Sequence, residues 1–296
     1  MRSAIVGDTM PTDGGLWESC QRVWRRTFAG EYAALVLLAV VYAVVRLPTE
    51  PFHRLFRLSD PRLQFPHADV ERVSVPMLFI YALLVPLCIL TLWALILRPA
   101  VHAVHVTFLG FVSSVFLTTF ITDILKNAIG RPRPDLLARC KPALGTPRDA
   151  LVSIAVCQET KHHLLHDGWR SFPSGHSSFA FSGLGYLAIF FASQTLALAP
   201  RASLLTTLAC AAPLLGAALI AISRLEDYRH DHADVICGSL LGLSVAYLTW
   251  RRQYPSLLSS ECDMPYPPTS SRGPSPPGIF RTIRDEEEGL IEERSR

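Results

Sequence analysis

The fold is decided by the stretch SFPSGHSSFAFSGLGYLAIFFASQTLALA, residues 171–199, in which a short polar motif leads directly into an apolar segment. The apolar part, residues 177–199, is long enough to cross a hydrocarbon core, which takes about 20 helical residues. A proline beside a serine favours a helix start here, since serine is a good N-cap and proline fits the first turn. The free N–H groups of Ser174, Gly175 and His176 would then form an anion site. Taken alone, the motif also fits an ordinary helix cap with an incidental histidine.

Five other apolar segments of the chain resemble this one in length and composition. Half of the 296 residues are hydrophobic and few charges interrupt the segments, a composition too apolar for an ordinary soluble domain of this size. The sequence therefore predicts an all-α integral membrane protein with six transmembrane helices, and a soluble helical protein is the disfavoured alternative. The other five segments cover residues 32–47, 75–97, 104–125, 204–223 and 233–250.

The chain divides by composition into one membrane domain and two tails. Residues 30–252 contain the six apolar segments, and residues 1–29 form a polar N-terminal tail. Residues 253–296 are rich in proline, serine and glycine and are expected to be disordered. An even number of spans places both termini on one side, and arginines beside the first and last segments indicate that this side is the cytosol. The organelle stays open between endomembranes, the vacuole and the plasma membrane.

Charge and cysteine content exclude several other classes of protein. The formal net charge of +3 gives no strongly basic surface for nucleic acid. The seven cysteines include no C-x-x-C pair, which argues against a zinc ribbon or a thioredoxin-like site. Cys140 and Cys157 lie in one polar loop and can form a disulfide if that loop faces an oxidising lumen. The oligomeric state is not indicated by the sequence.

A cluster of basic residues follows the third apolar segment, in the sequence KNAIGRPRP at residues 126–134. Lys126, Arg131 and Arg133 can surround a phosphate, since lysine supplies a point charge and arginine a planar pair of donors. Taken alone, the cluster fits equally well a set of basic side chains that reach toward a membrane interface.

A further cluster joins the last two apolar segments, in the sequence SRLEDYRHDHAD at residues 223–234. His230 and Asp234 are four residues apart and would share one face of a helix, where the carboxylate orients the imidazole for nucleophilic attack. Arg224 adds another phosphate donor. His232 is a rival nucleophile, but its spacing of two residues from Asp234 would point the two side chains apart. The alternative is a polar turn that contains a salt bridge.

All three clusters fall at helix ends on the same predicted face. The polar loops at residues 48–74, 126–172 and 224–232 lie on that face as well. Ionisable residues at membrane depth are costly and usually functional, and long loops in compact domains are usually functional too. The coincidence predicts a single phosphate site at this face.

Together the clusters resemble the signature of the type 2 phosphatidic acid phosphatase superfamily, and within it of the lipid phosphate phosphatases. That signature reads Lys-x6-Arg-Pro, then Pro-Ser-Gly-His, then Ser-Arg-x5-His-x3-Asp, and all three parts are complete here. The fuller stretches KNAIGRPRPDLLARC and SRLEDYRHDHADV, with the loop SDPRLQFPHADVERVSVP, are similar to those of fungal diacylglycerol pyrophosphate phosphatases and their animal relatives. The resemblance covers about residues 30–250 and leaves out the C-terminal tail.

The resemblance implies six helices and a phosphatase mechanism that needs no metal ion or other cofactor. His230 would attack phosphorus and form a phosphohistidine, Asp234 would orient it, and His176 would protonate the leaving alkoxide. The substrate would be a lipid phosphate such as phosphatidate, diacylglycerol pyrophosphate or lysophosphatidate, entering from the bilayer. The implied phosphate-binding groups are the side chains of Lys126, Arg133, Ser174 and Arg224 and the backbone N–H of Gly175.

Three other functions stay open beside this one. A polyprenyl pyrophosphate phosphatase, or another phosphatase of the same superfamily, would share the motifs. A metal-binding transporter or metalloenzyme could use His162 and His166, four residues apart, but no clean carboxylate or cysteine set in the sequence completes that pair. A non-catalytic scaffold is disfavoured because the motifs are complete.

Overall fold

The computed structural model describes residues 28–46, 50–200 and 202–267 of the chain. These residues contain no β-strand and only two isolated β-bridges, so the predicted all-α class is confirmed for this part of the chain. Of the described residues, 28–34 and Pro267 belong to one compact unit, and Leu35–Tyr266 form a second. The helices, in chain order, are α1 (Ala29–Arg46), α2 (Val75–Leu97), α3 (Val101–Ile129), α4 (Leu136–Cys140), α5 (His162–His166), α6 (Gly175–Gln194), α7 (Leu204–Glu226) and α8 (His232–Arg251).

The six long helices coincide with the six predicted segments to within a few residues. α2 covers the predicted residues 75–97 and contains a π-helical stretch at Ile80–Leu84, just before Pro86, whose nitrogen has no hydrogen to donate to the preceding turn. α6 starts at Gly175, as its serine N-cap predicts, but it ends at Gln194, earlier than expected. The loops that separate the helices are therefore close to their predicted lengths.

Four of the helices, α2, α3, α7 and α8, are long and apolar enough to cross a membrane, and α1 is a shorter apolar helix. α6 differs from these four because it carries many serines and glycines, and most of its side chains are buried. It packs against α3, α7 and α8, so that it is surrounded largely by protein. Its hydroxyl groups bond to these neighbours, as between Ser178 and Thr122, whose oxygens are 2.9 Å apart. The helix at the centre of the bundle is thus not one of the four that are apolar enough to cross a membrane by composition alone.

Glycines in α8 allow this helix to approach α6 closely. A Cβ atom at Gly242 would lie 2.2 Å from the carbonyl oxygen of Ser178, and one at Gly238 would lie 2.6 Å from that of Ser174. Small residues of this kind bring helix backbones together in membrane proteins. The close packing places the start of α8 beside the start of α6, and these two helix starts carry two of the three predicted clusters.

The two long loops fold together at one end of the second unit into a layer that we name the cap, residues 50–74 and 130–172. The backbone N–H of Phe52 donates to the carbonyl of Asn127 at 2.8 Å, and Gly130 has a φ of +58°, where an added Cβ would collide with the Phe52 carbonyl. A disulfide joins Cys140 to Cys157, the pairing that the sequence left open. The hydrophobic core of the cap consists of Phe56, Leu63, Leu136, Cys140 and Trp169.

The first part of the predicted C-terminal tail is packed against the helices, so the expectation of disorder from residue 253 onward is wrong. Tyr254 is buried, stacks on Trp250 with the ring centroids 5.6 Å apart, and shares a 2.7 Å hydrogen bond with the hydroxyl of Thr107. Aromatic stacking of this kind contributes contacts that a proline- and serine-rich composition does not indicate. The remaining tail residues, 1–27 and 268–296, lie outside the described residues.

Candidate active site

The carboxylate of Asp234 connects the three predicted clusters. It is fully buried and accepts hydrogen bonds from the Arg131 guanidinium at 2.8 Å and from the Ser171 hydroxyl at 2.5 Å. It also accepts the backbone N–H of Asp231 at 3.0 Å, which completes a capping box at the start of α8. The backbone carbonyl of Asp234 in turn accepts the N–H of Ser174 at 2.9 Å. One residue therefore holds together the loop after α3 and the starts of α6 and α8.

His230 lies just before α8 and is almost completely buried. Its Nδ1 is 3.7 Å from a carboxylate oxygen of Asp234 and has no hydrogen-bond partner among the described residues. The two side chains do approach each other, but the expected shared helical face is wrong, because α8 begins only at His232 and a turn makes the approach. The rival His232 is directed to solvent, with 81% of its side chain exposed.

The surroundings of His230 favour a neutral imidazole. Burial lowers the pKa of His230 well below its usual range, and the positive charges of Arg133 and Lys126 lower this pKa further. When Nδ1 carries the proton and faces Asp234, the lone pair is on Nε2. The lowered pKa keeps this nucleophilic form present at neutral and mildly acidic pH.

Lys126 lies against the start of α6. Its side chain is buried and donates to a backbone carbonyl of the cap at 2.7 Å, and its Cε would be 3.4 Å from a Cβ placed on Gly175. The N–H groups of Gly175 and His176 belong to the first turn of α6, where backbone donors have no partner within the helix. The N–H of Ser174, expected in the same set, instead donates to Asp234. The helix start therefore offers two backbone donors rather than three, beside an ammonium group.

Arg133 is held in place by two groups that are not signature positions of the three motifs. Its guanidinium donates to the carboxylate of Asp167 at 2.9 Å and to the carbonyl of Arg229 at 3.2 Å. Burial alone would raise the pKa of the Asp167 carboxyl, but the charges of Arg133 and Arg139 outweigh burial and hold this pKa well below the usual range. The Asp167 carboxylate, ionised at neutral pH, thus positions Arg133 next to the residue that precedes His230.

Glu71 occupies the space between Arg224 and His176. Its carboxylate accepts hydrogen bonds from the guanidinium groups of Arg224 and Arg229, each at 2.7 Å. The same carboxylate is 3.8 Å from Nε2 of His176, and that nitrogen is 3.1 Å from the carbonyl oxygen of Val73. Because a carbonyl only accepts, Nε2 of His176 carries the proton. A carboxylate therefore lies between Arg224, a predicted phosphate-binding residue, and His176, a predicted catalytic residue.

A cavity of about 830 Å³ opens beside His230. Its wall combines apolar side chains with arginines of the cap, among them Arg54 and Arg62. On one side the ring of Tyr228 stacks on that of Phe65 with the centroids 4.6 Å apart. This volume lies within the usual range for small-molecule sites, and the mixed wall suits a ligand with both an anionic and an apolar part.

The family described as the PAP2 superfamily matches residues 107–257, which include all three clusters. Diacylglycerol pyrophosphate phosphatase 1 of Saccharomyces cerevisiae is 41% identical over 229 residues, which are 75% of this chain and 79% of that protein. Probable diacylglycerol pyrophosphate phosphatase 1 of Schizosaccharomyces pombe is 37% identical, over 80% of this chain and 85% of that protein. Lipid phosphate phosphatase 2 of Arabidopsis thaliana is 32% identical, over 85% of this chain and 82% of that protein. No solved structure matches the chain significantly.

The chain therefore belongs to the PAP2 superfamily, and the resemblance inferred from its motifs is confirmed. The structure brings the predicted site residues into one region at the starts of α6 and α8 and the adjoining ends of α3 and α7. Ser174, like Asp234, is fully buried, and its hydroxyl accepts a 2.9 Å hydrogen bond from Ser177. The residues that the sequence did not single out, Glu71 and Asp167, come from the cap, and no motif spacing reveals them.

We expect the carboxylate of Glu71 to compete with phosphate for Arg224. In Glu71→Gln, inhibition by vanadate should strengthen by roughly tenfold, because removal of one anion leaves the guanidinium groups free to bind another. The inhibition constant of vanadate on the purified protein provides the measurement. Glu226→Gln is the matched control, since this half-exposed carboxylate pairs with Arg72 instead. Weaker vanadate inhibition in Glu71→Gln would show that the carboxylate holds Arg224 in place rather than competing for it.

Proposed function

We propose that this chain is a membrane lipid phosphate phosphatase, which hydrolyses the phosphomonoester or pyrophosphate group of phosphatidate, diacylglycerol pyrophosphate or lysophosphatidate. The observation that carries the proposal is the buried, neutral His230 beside Asp234, at the edge of a cavity and within the field of Lys126 and Arg133. The names of the relatives in two yeasts and a plant point to the same class of substrate.

In the first step, Nε2 of His230 attacks phosphorus, an N–P bond forms, and the P–O bond to the leaving group breaks. His176 acts in its imidazolium form, which the negative charge of the bound phosphate favours; it donates its Nε2 proton to the departing alkoxide, which otherwise leaves poorly, and becomes a neutral imidazole. Asp234 stabilises the positive charge that develops on His230, and the present 3.7 Å separation shortens on substrate binding. Catalytic contacts are often long in ligand-free proteins and tighten in the complex.

In the second step, water attacks the phosphohistidine, His176 takes a proton from this water, and the N–P bond breaks to release phosphate. The negative charge in both transition states is spread over the equatorial phosphate oxygens. We assign these oxygens to Lys126, Arg133 and Arg224 and to the first backbone N–H groups of α6, with the Ser174 hydroxyl beside them. Donors held in place before the reaction are usually the largest catalytic contribution.

The cavity favours a substrate with a bulky or doubly phosphorylated headgroup. Arg54 and Arg62 in its wall can bind a second phosphate while the first is next to His230. A polyprenyl pyrophosphate, or the substrate of another phosphatase of the superfamily, has the same anionic end and is the second candidate. A phosphate-release panel that compares phosphatidate, diacylglycerol pyrophosphate, lysophosphatidate and a polyprenyl pyrophosphate at equal surface concentration separates the two.

We propose further that the reaction needs no metal ion. Each carboxylate described at the site already pairs with arginine: Asp234 with Arg131, Asp167 with Arg133, and Glu71 with Arg224. Such pairs leave cationic groups, not carboxylate oxygens, to meet the phosphate.

Hydrolysis should accordingly persist in excess EDTA and be blocked by vanadate, which mimics five-coordinate phosphorus. The initial rate of phosphate release, with and without the chelator, is the measurement. Loss of turnover in EDTA that added Mg²⁺ restores would contradict a metal-free mechanism.

The proposed roles of the histidines predict different losses in three variants. His230→Ala should abolish turnover and any covalent phosphoenzyme. His176→Ala should slow release of a lipid alkoxide by about 10²–10⁴-fold, and slow p-nitrophenyl phosphate much less, because nitrophenolate departs without a proton. His232→Ala, which alters an exposed side chain, serves as the matched control. Equal losses on both substrates in His176→Ala would limit this residue to phosphate binding.

We propose that six helices span the membrane, with both termini in the cytosol and the site at the opposite interface. Of the six helices, α6 would cross the membrane surrounded largely by the other helices rather than by lipid. The disulfide between Cys140 and Cys157 supports this orientation of the cap, because disulfides persist in oxidising compartments. An acyl-chain substrate can then enter from the bilayer while its headgroup reaches the cap.

Two single substitutions test this orientation in the whole chain. Its one asparagine, Asn127, is followed by Ala128 and Ile129, so the native sequence has no Asn-x-Ser/Thr acceptor for N-glycosylation. Leu144→Asn creates an acceptor at a fully exposed position of the cap, and Phe280→Asn creates one in the tail. Only the first should be glycosylated in a eukaryotic host, seen as an endoglycosidase-sensitive mass shift. A shift for the second alone would reverse the orientation.

A further inference from the structure

A cluster of histidine and glutamate side chains lies in the cap and has no role in the mechanism above. Nε2 of His53 is 2.9 Å from Nδ1 of His166, and a carboxylate oxygen of Glu50 is 3.8 Å from the same Nδ1. One potential ligand atom from each of the three residues lies within 4.8 Å of the others. His162 lies beside these three residues, with Nε2 3.0 Å from a carboxylate oxygen of Glu50 and its ring stacked on that of His166.

The atoms in this cluster are those that first-row transition metals prefer. Imidazole nitrogen and carboxylate oxygen together suit Zn²⁺, which binds four ligands at about 2.0–2.2 Å. The short contact between His53 and His166 requires one ring nitrogen to accept from the other, so at least one imidazole already presents a lone pair. A cation between these rings would replace this hydrogen bond with two coordinate bonds.

The cluster is also supported by the surrounding structure. The ring of His53 packs edge-to-face on Trp169, with the centroids 5.0 Å apart, and the Trp169 indole is anchored by a 2.9 Å hydrogen bond to the carbonyl of Arg54. His166 is only 16% exposed, whereas Glu50 is 57% exposed. The site therefore has a rigid, mostly buried side and one open side through which a hydrated ion can enter.

We propose that Glu50, His53, His162 and His166 form a Zn²⁺ site that fastens the first loop of the cap to α5. The proposal does not depend on the phosphatase reaction. The site is separate from His230, and its metal takes no part in phosphate transfer. It joins two segments that are about 110 residues apart in sequence, Glu50–His53 and His162–His166, so bound metal should stabilise the cap.

The test is titration of the purified full-length protein with Zn²⁺ alone, followed by calorimetry. Wild type should bind about one ion per chain, and His53→Gln and His166→Gln should each weaken this binding at least tenfold. His163→Gln is the matched control, because His163 lies on the same short helix but outside the cluster. Equal weakening in His163→Gln, or binding that survives in a His53→Gln/His166→Gln double variant, would overturn the proposal.

A second measurement needs no variant and so does not depend on how the substitutions fold. Co²⁺ added to the wild-type protein should give the visible absorption of a four-coordinate nitrogen and oxygen site, and Zn²⁺ should displace it. A sulfur-to-cobalt charge-transfer band would assign the metal to cysteines instead and overturn the proposal. An octahedral, aqua-like Co²⁺ spectrum that does not change when the protein is added would also overturn the proposal.

Discussion

The arrangement of the site depends on one buried carboxylate. Asp234 accepts hydrogen bonds from the loop after α3 through Arg131, from the segment before α6 through Ser171, and from its own helix start through Asp231. A carboxylate without exposure to water is stable only when each oxygen has partners, so these contacts are interdependent. Because His230 lies 3.7 Å away, the same network that stabilises the fold also determines where the imidazole lies.

The rest of the site follows from the need to balance buried positive charge. Arg133 and Arg224 each pair with a carboxylate, and Lys126 donates to a backbone carbonyl. In the proposed mechanism a phosphate dianion would share or replace these partners, so that substrate binding would be an exchange of anions in a largely buried setting. Such an exchange avoids leaving cations unpaired in the ligand-free protein, at the cost of competition from groups such as Glu71.

The sequence predicts the helices and the three clusters well, because apolar segments and motif spacing are local signals. It fails where contacts come from distant residues. Nothing in the spacing indicates that Glu71 reaches Arg224 or that Asp167 holds Arg133, since both acidic residues lie in loops whose path depends on tertiary packing. The spacing of His230 and Asp234 predicts that they approach each other on one face of a helix. In the structure Asp231 caps α8, which therefore begins only at His232, and a turn brings His230 close to Asp234 instead.

We propose that His230 is the nucleophile and that it attacks through Nε2, since Nδ1 faces Asp234. The most direct measurement is to trap the phosphoenzyme by rapid quench into alkali, isolate the labelled peptide and identify the modified ring nitrogen by phosphorus NMR. We expect a single phosphohistidine, at Nε2 of His230. Phosphate on Nδ1 of that ring, or on His176 or His232, would contradict it.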